Sequence, residues 1–111
     1  MAGQSLIASD FAAAEFSSGI ARRVRMGDIS EADATSVFTT FDAWIARAAQ
    51  RVSLAAGDVL TALGLVRRLD LALRTPDAVN IAIAQRCSAS LFTFDAKQAA
   101  AARLVGVRVV G

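Results

Sequence analysis

The sequence predicts a three-layer α/β domain, a parallel sheet flanked on both faces by helices. Three observations carry that expectation. Short apolar runs of strand length, SLIAS (5–9), VSL (52–54), SLFTF (90–94) and VRVV (107–110), alternate with longer segments at helical spacing. Strands that alternate with helices form parallel sheets joined by helical crossovers. The helical segments also carry start and stop signals of their own. Finally, 111 residues at 55% hydrophobic content supply the material for one core. Without a repeat, low-complexity tract or linker, residues 1–111 read as a single domain.

Taken in order, SLIAS ends at Ser9-Asp10, and Phe11, Ala12, Phe16, Ile20 and Val24 then recur at helical spacing until Gly27 marks a stop. Ser30 and Asp33 have the spacing of a capping box, and Ala34, Val37, Phe38, Phe41, Trp44, Ile45 and Ala48 continue that helix. VSL is a second short strand, followed by a helix from about residue 58 to residue 69 built on Leu60, Leu63 and Val66. LDLALRT (69–75) alternates like a strand but is squeezed between two helical patterns, so it reads as a connector. Thr75 is the expected N-cap, with Pro76 at the first helical position of a helix reaching about residue 86. SLFTF is a buried strand, Asp95 caps a helix that stops before Gly106, and VRVV closes the chain as another strand.

Composition narrows the chemistry. No apolar run approaches the roughly 20 residues that span a bilayer, so no membrane segment is expected. MAGQSLIASDF lacks the basic and continuous apolar regions of a secretory leader, and Cys87 stands alone, which together suit the cytoplasm. The net charge is only +2, yet eleven of the twelve basic residues are arginine, the better fork for phosphate. With no histidine, Ser-His-Asp and Cys-His arrangements are excluded. Carboxylates, hydroxyls and one thiol remain.

Among the carboxylates, Asp77 and Asp95 stand at the two ends of TPDAVNIAIAQRCSASLFTFD. Like charges about 4 Å apart repel by roughly 4 kcal/mol at an effective dielectric near 20, so converging acids must stay apart, hold a proton, or hold a metal. In an open parallel sheet, ligands bind beyond the carboxyl ends of the strands. Asp95 follows SLFTF directly, Asp10 and Glu15 follow SLIAS, Asp77 lies in the first turn of its helix, and Asn80 lies one turn later. Each acid also has a plainer role: Asp95, with Gln98 three residues on, as an N-cap; Asp77 opposite a positive helix end; Asp10 as a cap; Glu15 on a solvated face. Carboxylates without imidazole point to a hard ion such as Mg²⁺, and phosphodiester hydrolysis is the reaction class they fit best.

Residues 9–15, the segment TPDAVNIAIA and the segment SLFTFD together resemble the PIN domain, in particular toxin ribonucleases of the VapC kind. The resemblance implies a PIN-like sheet and an RNA-cleaving site in which Glu15, Asp77 and Asp95 are the catalytic acids and the ligands of Mg²⁺ or Mn²⁺. Ser9, Asn80 and Thr93 of the T-x-D pattern support them. It further implies an RNA substrate, a VapB-like antitoxin that covers the site, and a homodimer or higher oligomer. One departure stands out. PIN domains begin with a central strand ending in an aspartate, and this chain opens on the strand that normally comes later, so the first strand and its acid are expected to be missing. A hole mid-sheet and weakened metal affinity would follow, and the alternative is an inactive or truncated module serving dimerisation or antitoxin binding.

Other features admit two readings. Arg22, Arg23, Arg25, Arg67, Arg68 and Arg74 either track an RNA backbone or form a solvated basic face. Phe38, Phe41 and Trp44 read as core or dimer interface, and Cys87 as a small buried hydrophobe. An unrelated flavodoxin-like domain is disfavoured, because no Gly-rich phosphate loop follows SLIAS.

Overall fold

The Ser9 hydroxyl ends the first apolar run by accepting a bond from the amide of Ala12 at 2.9 Å, and this cap turns an extended chain into a helix. The computed structural model describes residues 7–93 and 95–110; there the two elements are β1 (Ile7–Ser9) and α1 (Asp10–Arg25). Ser5 and Leu6 of SLIAS, the residues before them and Phe94 of SLFTF lie outside the described residues. The described residues divide into two compact units, residues 7–53 and residues 54–110.

In the first unit α1 ends where Gly27 adopts φ +79°, with the Gly27 amide donating to Val24 O at 3.0 Å and the Asp28 amide to Arg23 O at 2.9 Å. That left-handed turn satisfies the last carbonyls and favours glycine. Then α2 (Glu31–Ala48) opens on the expected capping box: Asp33 N donates to Ser30 Oγ at 3.0 Å and Ser30 N to Asp33 Oδ2 at 3.4 Å. Phe16 of α1 stacks on Phe41 of α2 with ring centroids 4.2 Å apart, a contact that joins the helices through area and quadrupole. The second strand, β2 (Gln50–Val52), comes two residues earlier than VSL and pairs parallel with β1, Ser9 opposite Val52. Ala34 and Ile45 are the buried apolar residues of α2, while Phe38 and Phe41 are half-buried and Trp44 stays 46% exposed. The aromatic stripe is therefore a partly covered face rather than a core.

The second unit is built on α3 (Ala56–Arg67) and α4 (Thr75–Arg86), which pack together across a short 3-10 turn at Leu69–Leu71. The helix predicted from residue 58 begins earlier, because Asp58 Oδ2 reaches back to accept from the Ala55 amide at 2.8 Å. Likewise α4 begins one residue before the expectation: the Ala78 amide bonds Arg74 O at 3.0 Å, so Arg74 is the N-cap residue and Thr75 the first helical one. Ala78, Ile81 and Ile83 are all but inaccessible, in keeping with a helix that is apolar on every side. Cys87 is half-buried at its C-cap instead of enclosed.

Beyond it, β3 (Leu91–Phe92) pairs parallel with β4 (Val109–Val110), and α5 (Ala96–Leu104) joins them. Leu91 is buried, but Phe92 is 59% exposed. Leu91 and Phe92 are thus apolar alike but one-sided in space, since successive strand residues face opposite ways. Among the described residues the four strands form two two-stranded parallel ladders, β1 with β2 and β3 with β4, instead of the single sheet expected. Every pairing is parallel as predicted. The strand hydrogen-bonded to both ladders, which one sheet would require, is not among them.

Candidate functional site

Thr93, just past β3, begins the most organised cluster of predicted site residues. Its Oγ1 accepts from the Asp95 amide at 3.0 Å. Asp95 in turn is the N-cap of α5, its Oδ1 accepting from the Lys97 amide at 2.9 Å and the Gln98 amide at 3.3 Å. Gln98, only 8% exposed, then extends its Nε2 to the Asp77 carbonyl oxygen at 3.5 Å. A run of hydrogen bonds therefore joins the N-terminal ends of α5 and α4 and brings the segments bearing Asp95 and Asp77 together. Both helix ends present the positive pole of their dipoles. Asp95 is exposed and Asp77 half-buried, as is Asn80 one turn further along α4. The cap foreseen for Asp95 is present, and it leaves the carboxylate at the surface.

Glu15 sits half-buried on α1, in the other unit. Ser9 is buried and occupied as the α1 cap. Asp10 is not that cap: at the first helical position it bonds Arg51 Nη2, with Ser53 Oγ at 3.5 Å. The pair ties the start of α1 to β2.

Sequence reasoning missed the one deeply buried acid. Asp58 has a side chain 3% exposed and meets Arg86 twice, Nε to Oδ1 at 2.8 Å and Nη2 to Oδ2 at 3.0 Å. The Arg86 hydrogen bond holds the Asp58 carboxyl below its usual range, helped by the Ala55 amide, while burial opposes the shift. Arg86 is raised by the same bond. The bidentate fork clamps α3 to α4. An acid at the third position of a helix was the only signal available in advance; its partner lies 28 residues away.

Arg22, Arg23 and Arg25 are exposed in the last turn of α1, and Arg67, Arg68 and Arg74 are exposed around α3 and its connector. Arg68 already pairs with Asp70 at 3.0 Å. One groove of about 440 Å³ is lined by Phe16, Val37, Phe41 and Trp44, and another of about 410 Å³ by Gln85, Ser88, Gly106 and Arg108. Neither is lined by Glu15, Asp77 or Asp95.

Within neither unit do three His, Cys, Asp or Glu side chains gather as a metal-ligand set, among the described residues. The donors at the α4 and α5 ends, two carboxylates with an amide and a hydroxyl nearby, nonetheless suit Mg²⁺ or Mn²⁺, since Mg²⁺ commonly takes one or two carboxylates and keeps its waters. No described helix is long and apolar enough to cross a membrane. The comparison with curated proteins returned no match. The family model for the PIN domain, by contrast, matches residues 2–104, nearly the whole chain. The chain belongs to the PIN domain family, whose members are generally nucleases that use divalent metal ions.

Proposed function

We propose that this PIN domain is a Mg²⁺- or Mn²⁺-dependent endoribonuclease of the VapC toxin type, hydrolysing RNA phosphodiesters and restrained by a small VapB-like antitoxin. The observation that carries this is the Thr93–Asp95–Gln98–Asp77 hydrogen-bond run, which sets two acids at adjoining helix N-termini. The carboxylates at these helix ends would receive the cation that accompanies a phosphate. Asp77 and Asp95 would hold the ion; Asn80 on α4 and Thr93 just past β3 would orient the two, and Ser9 positions the start of α1. When bound, the ion supplies Lewis acidity at a phosphoryl group. The exposed arginines of α1 and α3 would follow the RNA backbone.

The test is cleavage of a mixed RNA pool by this chain with Mn²⁺, beside Asp95→Asn and a matched sample in chelator. Cleavage that requires metal and drops by at least about 100-fold in Asp95→Asn is expected. Cleavage that survives the substitution or the chelator would sink the proposal.

A second reading, a PIN module that binds without cutting, is favoured by the strand pairing. Among the described residues the strands form two separate two-stranded ladders, whose edges can receive a partner's strand. On that reading the same surface serves dimerisation or antitoxin capture.

A further inference from the structure

We infer that Gln98 is a positioning residue that sets the spacing of Asp77 and Asp95, and so the affinity of the site for a divalent cation. The inference rests on the metal-dependent reading above and adds to it a residue that touches neither RNA nor the ion.

Gln98 occupies the third position of α5, where a glutamine ordinarily completes a capping box by returning its side chain to the amide of the cap residue. Here that amide is already taken: Asp95 N donates to Thr93 Oγ1 at 3.0 Å. The Gln98 amide is thereby released, and Nε2 turns instead to the Asp77 carbonyl at 3.5 Å. Its own backbone N–H still donates to Asp95 Oδ1 at 3.3 Å. One residue is thus bonded to both acid-bearing segments, by main chain to Asp95 and by side chain to Asp77. At 8% exposure its amide has little access to water, so the bridging orientation is strongly preferred. The 3.5 Å separation lies at the long limit of a hydrogen bond, so a cation that draws the acids together would shorten it. Groups that hold metal ligands in place, without touching the metal, commonly govern affinity in this way.

The fold contains its own control. Gln85, near the other end of α4, donates its Nε2 to Val105 O at 3.2 Å, just past the C-terminus of α5. Both glutamines tie α4 to the α5 segment through a side-chain amide and a carbonyl. Only Gln98 does so beside the acids.

The experiment is calorimetric titration of Mn²⁺ into the full chain as wild type, Asp95→Asn, Gln98→Met and Gln85→Met, with melting temperatures of each. Methionine keeps the length of glutamine without its donor. Gln98→Met is expected to bind Mn²⁺ about 10-fold or more weakly, and Gln85→Met within about twofold of wild type, as expected of a group outside the ligand-orienting shell. Asp95→Asn should lose binding. Unchanged affinity in Gln98→Met, or an equal loss in Gln85→Met, overturns the role of Gln98 while leaving the metal site standing. Absence of Mn²⁺ binding by wild type, or full affinity in Asp95→Asn, overturns site and inference together. Should Gln98→Met not fold, Gln98→Asn decides in the same way, because it keeps the buried amide and shortens its reach by one methylene.

Discussion

The buried Asp58 carboxylate is the residue on which the second unit most depends, and its pair with Arg86 is unequal. Asp58 is sealed at 3% side-chain exposure, while Arg86 is 42% exposed and can return to water. Removing the cation should therefore cost more than removing the anion, because Arg86→Ala strands a buried charge, whereas Asp58→Ala loses a cap and a pair, about 2 kcal/mol. Urea midpoints at neutral pH check the order, and a larger loss in Asp58→Ala would refute it. The pH dependence has a definite sign. Because Arg86 lowers the Asp58 pKa from 3.8, the pair stabilises the fold fully above the unfolded value near 3.9 and loses that contribution as pH falls through the lower folded value. In Arg86→Ala the unpaired carboxyl is favoured by protonation, so the gap to wild type should narrow below about pH 4. At this scale the sequence was legible where partners are neighbours, as in the Asp95 cap on Gln98. It was silent on Asp58 with Arg86, and on the turn of Gln98 toward Asp77, because both depend on which distant backbone the fold delivers.

Helices in this chain were legible by their ends as much as by their periodicity. Gly27 and Gly106 stop α1 and α5 at φ +79° and +84°, and Ser30 with Asp33 starts α2, all as the residue types imply. The end of α4 has no such marker. There Ser88 takes the left-handed place at φ +52°, with its amide on Gln85 O at 3.2 Å and the Ala89 amide on Ala84 O at 2.9 Å. The hydrogen bonding is that of a glycine-terminated helix, carried by a residue whose Cβ makes it strained. Ser88→Gly should relieve that strain for a net gain of about 0.5 kcal/mol after the greater unfolded entropy of glycine, a rise of roughly 2–4 °C in melting temperature. An unchanged or lower value would show that Ser88 supplies something its backbone angle does not reveal. Strand limits were the least legible element. Apolar character marks where a strand is possible, but a strand ends where its partner ends, and among the described residues β3 and β4 share two residue pairs.

At the scale of the molecule, strand–helix alternation foretold parallel pairing and could not foretell how many ladders result. Alternation constrains the direction of each crossover, whereas the number of strands in a sheet depends on which edges find partners. Two-stranded ladders are marginal alone, and unpaired edges with apolar neighbours invite further strands or chains. In the second unit Val59, Leu60 and Leu63 form an exposed stripe on α3 and Phe92 is exposed on β3; in the first, Phe16 and Trp44 border an apolar groove. A chain with these surfaces should associate. We therefore expect a solution mass above the 11.6 kDa of one chain at micromolar concentration, measured by light scattering across a dilution series, with the larger species losing ground on dilution. Substituting Leu60 and Leu63, both outside the acid cluster, with lysine should shift the mass toward the monomer. A mass of one chain throughout the series would mean that these faces tolerate water, and the binding-module reading would lose the surface it needs.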